Sequence, residues 1–586
     1  MNFGLQCLAV ALLSPATVFA ADSGERATGF RPPPRAKNLI YDQTAHNTSK
    51  RSLLKSSATP AIPPKWDSRD HRWITPVRDQ GEIEACWTFA AYATLEAQLL
   101  KAGRGEYDFS EKNMANLHGF PSKYDVGGHT DMAIAYLLRW GGAIAETNDV
   151  FTTSKSNWTD SPTLNPAIHV QNIVWVPVRT SFTDNDTLKV AITNYGAVAT
   201  SMHWDDGYAK GEAYYCNDAN NLNHAIAVIG WDDTYEASNF KNTPKGDGAW
   251  LIKNSWGESS GNKGYYYVSY YDATFAFGWP GTVFIPATED EDYTAVYGYD
   301  KLGYISSGDY NCDQEAAVFT SSWNEEVAAV GVYSTISPNP YIIEVYTNVT
   351  RGASSPTDGG TLACSISGTI DRLGYITIPL QTPVRLKDKS NFTIVFKQEG
   401  ATHSHALNYS CNYNNGTPYA ICDHPAGNTY LKATNGEWKD AATFFSNVSA
   451  CVCLKAYTRS IVPASDGPSE TDDGTSMLKT LYSTNATLYA ETGETFGAFA
   501  NIVGANGRTL WSSWLAGFDP ADKDDNKLVV DISVTNNVPY LSWTPNLGAD
   551  RSYRILGRET LDEEDWEEVG DLKTTSAKFF KVTVGQ

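Results

Sequence analysis

Apolar residues recur every three or four positions in two stretches of the first half of the chain. The segment CWTFAAYATLEAQLLKAG has this spacing and stops at Gly103, which predicts a helix that begins near Cys86. The segment HTDMAIAYLLRWGG predicts a second helix, closed by Gly141 and Gly142. The runs HAIAVIGW, GAWLIKNSW and GYYYVSYY then predict strands. Residues 61–285 are therefore expected to combine helices with strands.

The pattern changes between about residues 293 and 459. Short alternating runs, separated by Gly, Asn, Asp and Pro, predict strands without intervening helices: AAVGVYST, YIIEVYTNV, GYITIPL, NFTIVFKQ and ACVCLKAYT. Strands at this spacing are typical of a β-sandwich or jelly roll. Residues 460–475 then predict an acidic linker, and the runs LVVDISV, VPYLSWTP, SYRILGRE and KFFKVTV predict a small β domain over residues 476–586.

The first 60 residues have two further patterns. Residues 1–20 hold an apolar run from Leu5 to Leu13 and end on small residues, which predicts a signal peptide cleaved after Ala20. Residues 21–60 are polar and proline-rich and lack helical periodicity, so we expect an extended leader rather than a packed unit. Since no later stretch is long and apolar enough to span a membrane, we expect a secreted or cell-surface protein, in which disulfides can form.

The formal net charge of −22 limits the classes of partner. A chain without a basic face is poorly suited to bind nucleic acid or an anionic lipid surface. We therefore expect no nucleic-acid partner.

Cys86 begins the first predicted helix, where the helix dipole favours a thiolate. Taken alone, it could equally be a packing residue, half of a disulfide or a nucleophile. A nucleophile needs a base and an orienting group from elsewhere in the chain. His224 opens one predicted strand and Asn254 ends the next, so adjacent antiparallel strands would bring the two together with Trp256 lying over the pair.

Three blocks, in this order, resemble the papain-like (C1) cysteine peptidases over about 220 residues. DQGEIEACWTFA is similar to the nucleophile segment of that family, NHAIAVIGW to its histidine strand, and WLIKNSWGESSGNKGYYYVS to its asparagine strand and the following turn. The resemblance implies an α+β fold with a helical subdomain and a β-barrel-like subdomain. It also implies protein or peptide substrates, and no cofactor or metal.

The resemblance implies a role for each matching residue. Cys86 would be the nucleophile and His224 its general base, with Asn254 fixing the imidazole. Gln80 would donate its side-chain amide to the developing oxyanion, beside the Cys86 backbone N–H. Further residues would bind an extended peptide or shield the histidine from water: Gly127, Gly128 and Trp256.

Departures from the family pattern concern disulfides and the leader. Secreted members carry a disulfide whose two positions are Ile83 and Asp125 here, and Leu117 stands near the place of a second. Cys216 is expected to be unpaired and buried, and His129, which follows the glycines, is expected on the surface. The leader is too short for the helical inhibitory propeptide of the family. Because no added histidine-bearing loop is present, an endopeptidase is favoured over an exopeptidase.

Residues 293–459 resemble the lectin-like domain that follows a papain-like unit in some bacterial and archaeal surface proteins. YDKLGYISS, EEVAAVGVYS and YIIEVYTNV carry this resemblance, which implies glycan binding; alternatively, the Tyr and Trp residues only form a sandwich core. The cysteines of this region favour disulfides, with Cys451 and Cys453 on one strand bridging to different partners. The alternative is a zinc site using His403, His405 or His424. The six cysteines are Cys312, Cys364, Cys411, Cys422, Cys451 and Cys453.

The leading hypothesis is a secreted cysteine endopeptidase that acts through an acyl-thioester on Cys86. Two alternatives stay open at this point. The chain could be a surface adhesin that uses the papain-like unit as a scaffold, or an acyl transferase with the same catalytic residues.

Overall fold

A computed structural model describes residues 27–34, 49–50, 52–53 and 61–461, except 123, 219–220, 289–290, 292, 402, 414 and 446–447. It also describes strands between residues 529 and 585. The predicted signal peptide and nearly all of the predicted acidic linker lie outside the described residues. Among the helices of this described part, none is both long and apolar enough to cross a membrane.

The first predicted helix is the central element of the peptidase-like half. It is buried nearly all round, because it packs against strands as well as against other helices. The second predicted helix ends at Leu138, before the two glycines, since Trp140 takes a left-handed backbone conformation with φ of 61°. The helices are α1 (Cys86–Lys101), α2 (Glu111–Leu117), α3 (Thr130–Leu138), α4 (Asp186–Tyr195) and α5 (Ala441–Phe444).

The strands of the peptidase-like half confirm the three predicted there. They are β1 (Lys65–Asp67), β2 (Val170–Val176), β3 (Val198–Met202), β4 (Ala209–Lys210), β5 (Ala213–Tyr214), β6 (His224–Asp232), β7 (Ala249–Lys253), β8 (Tyr265–Ser269) and β9 (Gly281–Pro286). Together with the helices, they give the α+β architecture that the sequence predicts.

The following region is β-rich, as predicted. Its strands are β10 (Ala295–Gly298), β11 (Ser306–Gly308), β12 (Cys312–Thr320), β13 (Glu325–Ser334), β14 (Asn339–Thr347), β15 (Thr361–Ile370), β16 (Gly374–Leu386), β17 (Asn391–Gln398), β18 (His405–Tyr409), β19 (Cys411–Asn412), β20 (Pro418–Ala420), β21 (Thr429–Ala433), β22 (Trp438–Asp440), β23 (Ala450–Val452) and β24 (Lys455–Ser460). The strands described in the tail are β25 (Val529–Thr535), β26 (Val538–Thr544), β27 (Ser552–Arg558), β28 (Glu567–Glu568) and β29 (Phe579–Gly585).

One sheet runs through both halves of the described chain, although the sequence predicts separate units. Its order is β10-β24-β13-β16-β2-β9-β3-β6-β7-β8-β5-β4. The two halves meet where Gly374 pairs with Val174 and Tyr375 with Ile173. A Cβ on Gly374 would lie 2.1 Å from the carbonyl oxygen of Ile173, so only glycine fits this junction. The β-rich region is thus joined edge to edge with the peptidase-like half.

The cysteines do not form the predicted disulfides. None of the eight described cysteines is disulfide-bonded, and the sulfurs of Cys422 and Cys451 lie 3.8 Å apart. The prediction for Cys451 and Cys453 is wrong because β23 ends at Val452, so the two do not share a strand. Cys216 is buried, as expected.

Two of the three histidines proposed for a zinc site, His405 and His424, have other partners. The His405 ring lies between the Glu315 carboxylate, at 3.1 Å, and the Cys312 carbonyl oxygen, at 3.0 Å. His424 Nε2 lies 3.1 Å from Thr429 Oγ1. Within the described residues, no three His, Cys, Asp or Glu side chains converge as metal ligands would.

Candidate active site

Cys86 lies at the N-terminus of α1, fully buried, with its sulfur against strand β6. The backbone N–H of Ala225, the second residue of that strand, donates to Cys86 Sγ at 3.3 Å. The fold therefore places the residue next to His224 in direct contact with the sulfur, although the two segments are 139 positions apart.

His224 and Asn254 form a buried pair because β6 and β7 are antiparallel neighbours. His224 Nε2 lies 2.8 Å from Asn254 Oδ1, as predicted from the order of the strands. Trp256 stacks on the imidazole with ring centroids 4.5 Å apart and an angle of 11° between the planes. The other ring nitrogen, Nδ1, is buried and has no hydrogen-bond partner among the described residues. The hydrogen bond to Asn254 thus fixes the imidazole through Nε2, and Nδ1 is available to exchange a proton.

Gln80 is buried with its side-chain amide held at both ends. Its Nε2 donates to the carbonyl oxygens of Ile83, at 2.7 Å, and Thr28, at 3.0 Å. Its Oε1 accepts a hydrogen bond from Ser255 Oγ at 2.6 Å. Ser255 thereby orients the amide. No motif predicts this role for Ser255, whose only signal in the sequence is its position directly after Asn254.

Gly127 and Gly128 present backbone rather than side chains to an extended peptide. Gly127 has φ of 75°, which favours glycine. A Cβ on Gly128 would lie 2.6 Å from the Trp87 ring, so its backbone packs too closely for any other residue. The Gly128 N–H donates to Gly29 at 2.8 Å, and the Gly128 carbonyl accepts from the Arg31 N–H at 2.9 Å.

The peptide bound by these groups is part of the leader of the same chain. In addition to the contacts of Gln80 and Gly128, Trp256 Nε1 donates to the Ala27 carbonyl at 2.9 Å, and the Phe30 N–H donates to Asn223 at 2.8 Å. Phe30 is only 5% exposed. The prediction of an unpacked leader is therefore wrong for residues 27–31, whose sequence ATGFR gives no local signal of this packing. Residues 49–50 and 52–53 are helical, which the leader sequence did not predict.

The leader runs through the site in the direction opposite to that of a cleavable peptide. Ala27, which precedes Thr28, lies at Trp256 and hence on the histidine side. Gly29, whose nitrogen would have to leave if the Thr28 carbonyl were attacked, lies instead beside Gly128. Phe30 accordingly pairs with Gly128 in parallel. Because the leaving nitrogen is remote from the imidazole, this bond is not placed for cleavage.

Burial holds both candidate catalytic groups in their neutral forms in this leader-filled state. It raises the pKa of the Cys86 thiol to about 12, an effect that the hydrogen bond from Ala225 opposes. It lowers the pKa of His224 to about 4, against the opposing contribution of the Asn254 hydrogen bond. At neutral pH the sulfur is therefore a thiol and the imidazole is uncharged.

Alkylation of Cys86 in the full chain should consequently be slow at neutral pH. The thiolate is the reactive form, so the rate with iodoacetamide should rise about tenfold per pH unit between about pH 7 and 10, well below the pKa. Release of the leader admits water to the site, which should shift this profile to lower pH. Peptide mass spectrometry measures the rate, with the half-exposed Cys364 as an internal reference. Fast and pH-independent labelling of Cys86 in the full chain would contradict a neutral thiol in the leader-filled state.

The predicted surface position of His129 is wrong. The side chain is fully buried, and burial lowers its pKa to about 3. Its Nε2 lies 3.0 Å from the Tyr419 hydroxyl, which comes from the β-rich region. A segment 290 residues away thus covers the position, and the local sequence carries no signal of that contact.

Comparison with known proteins agrees with this geometry. The family described as papain family cysteine protease matches residues 62–275, a range that contains Gln80, Cys86, His224 and Asn254. Residues 62–275 belong to the papain family of cysteine peptidases. The family described as lectin like domain matches residues 296–458, so the predicted lectin-like domain follows the papain-family domain.

Individual curated relatives match between about a third and two fifths of the chain. Cathepsin K of Mus musculus is 28% identical over 247 residues, which cover 41% of this chain and 67% of that protein. Vignain of Vigna mungo is 25% identical over 206 residues, 35% of this chain and 54% of that protein. The chain thus spans between about half and two thirds of the length of these curated relatives.

A solved structure extends the likeness across both domains. The clostridial cysteine protease Cwp84 after propeptide cleavage aligns with a TM-score of 0.59 and 27% identity, covering 67% of this chain and 99% of that one. A structure of the cysteine protease and lectin-like domains of Cwp84, a surface layer associated protein of Clostridium difficile, has the same fold, with a TM-score of 0.58 and 24% identity over 72% of this chain and 98% of that one. The prediction of a papain-like peptidase followed by a lectin-like domain is confirmed.

Proposed function

We propose that this chain is an exported cysteine endopeptidase that hydrolyses peptide bonds through an acyl-thioester on Cys86. The observation that carries the proposal is the His224–Asn254 hydrogen bond, which fixes the imidazole while its Nδ1 stays open and the next residue, Ala225, contacts the Cys86 sulfur. A fixed base beside a helix-terminal thiol is the arrangement that nucleophilic catalysis by cysteine requires.

The proposed reaction has two halves. The Cys86 thiol gives its proton to His224 Nδ1, and the sulfur adds to the carbonyl carbon of the substrate. The resulting oxyanion accepts hydrogen bonds from Gln80 Nε2 and the Cys86 N–H. The imidazolium then protonates the leaving nitrogen, the C–N bond breaks, and an acyl-thioester is left. In the second half, water gives a proton to His224, adds to the thioester, and releases the carboxylic acid and the thiol.

The remaining groups support these steps. Asn254 Oδ1 accepts a hydrogen bond from His224 Nε2–H and thereby leaves Nδ1 to take the proton from the thiol. Trp256 covers the imidazole and limits the access of water to that hydrogen bond. Ser255 acts as a positioning residue, since it contacts Gln80 rather than the reacting atoms.

The leader restrains the activity in this proposal. Residues 27–31 occupy the hydrogen-bonding groups of the cleft that a substrate would need. Their reversed direction protects them from cleavage. Removal of the leader would therefore precede turnover. The likeness to Cwp84, a surface layer associated protein, supports the predicted location outside the cell. The site fits an enzyme better than an adhesin scaffold, while glycan binding by the lectin-like domain stays a prediction.

A peptidase assay with two cysteine variants tests the proposal. The full chain, its leader removed by limited proteolysis, should cleave a denatured protein substrate, and the Cys86→Ala variant should lose the activity. Cys216→Ser is the matched control, because it changes another buried thiol of the same domain and should retain cleavage. If Cys86→Ala digests the substrate as fast as the parent does, the proposal fails.

A further inference from the structure

A hairpin of the lectin-like domain reaches the substrate cleft of the papain-family domain. It is formed by β19 and β20, in which Cys411 pairs with Ala420. Its Tyr419 is 3% exposed, and its hydroxyl contacts His129 Nε2 at 3.0 Å. The Tyr419 ring also packs against Phe120, with centroids 5.3 Å apart. Since His129 directly follows Gly128, these contacts fix the hairpin beside the cleft.

Tyr413, in the turn of this hairpin, supplies an aromatic face to the occupant of the cleft. The guanidinium carbon of Arg31 lies 3.9 Å from the centre of the Tyr413 ring, well within the range of a cation–π interaction. Tyr413 in turn packs edge-on against Tyr419, with centroids 5.3 Å apart. Its hydroxyl has no hydrogen-bond partner among the described residues, and the ring face is the part that contacts Arg31.

The backbone of Arg31 shows where this contact lies along the cleft. The Arg31 N–H donates to the Gly128 carbonyl, and the preceding residue, Phe30, is the one paired with Gly128. The Thr28 carbonyl, three residues earlier, lies at the Gln80 amide. Tyr413 thus faces the side chain of the residue about three positions from the carbonyl bound by Gln80. A peptide bound to the same backbone groups would place a side chain against Tyr413 whether it ran in the direction of the leader or in the opposite one.

We propose that Tyr413 forms a subsite for a cationic side chain, arginine or lysine, in the peptide substrate. The lectin-like domain then contributes directly to the specificity of the peptidase. This inference rests on the proposed function, and the leader residue Arg31 occupies the subsite until activation.

Paired peptides measure the preference directly. Peptides that differ only by Arg or Gln at the second, third or fourth residue before the cleaved bond are hydrolysed by the activated protein, and the ratio of their kcat/KM values is compared. We expect arginine to be favoured about fivefold at the third position, the effect of one exposed cation–π contact. The ratio should stay near that value in Tyr413→Phe, which keeps the ring, and should fall to about one in Tyr413→Ala.

A control and a binding measurement separate this subsite from the proposed function. Tyr346→Ala removes a half-buried tyrosine from β14, whose sheet (β15-β14-β17-β12-β21-β22) includes no strand of the papain-family domain. This change should leave the ratio of kcat/KM values unchanged. The peptide ATGFRPPP, residues 27–34, should bind the activated Cys86→Ala protein about fivefold more tightly than its Arg31→Gln form. Tyr413→Ala should abolish that difference.

The outcomes are distinct. Discrimination in binding without any turnover would support the subsite and overturn the proposed peptidase function. Turnover and binding that are both indifferent to arginine at every position, or an arginine preference that Tyr413→Ala leaves intact, would overturn the subsite alone.

Discussion

Replacing His224 with alanine should lower kcat by about 10⁴- to 10⁶-fold, since the thiol then loses its proton acceptor and the leaving nitrogen its proton donor. The effect should be close to that of losing Cys86 itself, because the two residues act as a unit. KM should change much less, as the extended peptide is bound by backbone groups elsewhere in the cleft.

His169→Ala is the matched control for this experiment. His169 is a half-buried imidazole of the same domain, and burial lowers its pKa to about 4 as well, but it stacks on Trp140. Its loss should affect thermal stability more than kcat. Steady-state kinetics on the activated proteins measures both variants. Equal losses of kcat in the two variants would assign the effect to packing and contradict the role of His224.

Gln80→Ala should lower kcat by about 10²- to 10³-fold, the usual cost of losing one oxyanion donor. In the full chain, the same change removes the hydrogen bond to the Thr28 carbonyl. We therefore expect slower catalysis together with easier release of the leader, a combination that a simple loss of stability would not give.

Kinetics after activation and the rate of leader loss before it measure the two effects of Gln80→Ala. Gln98→Ala is the control, because Gln98 also donates its side-chain amide to a backbone carbonyl, that of Tyr195, at the far end of α1. That variant should keep kcat. An unchanged kcat in Gln80→Ala would exclude Gln80 from the oxyanion site.

The sequence was most informative where chemistry and local periodicity coincide. The apolar spacing predicted that α1 begins near Cys86, and the order of two predicted strands placed Asn254 beside His224. The first inference needed only the spacing within one helix, and the second needed only two strands that are neighbours in the sheet. The strands of the β-rich region followed from their alternating pattern for the same reason.

The errors arose where distant segments meet. His129 is buried by a tyrosine from the lectin-like domain, and leader residues 27–31 pack against Gly128 and Trp256. The joined sheet depends on Gly374, whose close approach to Ile173 has no local signature apart from the glycine itself. The placement of Cys451 and Cys453 on one strand failed because β23 ends between them, and no spacing rule reports such a break.

Trapping of the acyl-enzyme is the sharpest test of covalent catalysis by Cys86. The activated protein is mixed with an activated peptide ester, quenched in acid within milliseconds, digested and examined by mass spectrometry. We expect an acyl group on the peptide that contains Cys86; it should be absent from Cys86→Ala and lost on chasing with neutral buffer. Hydrolysis of the ester at full rate with the acyl group on another residue, or by the Cys86→Ala protein, would contradict it.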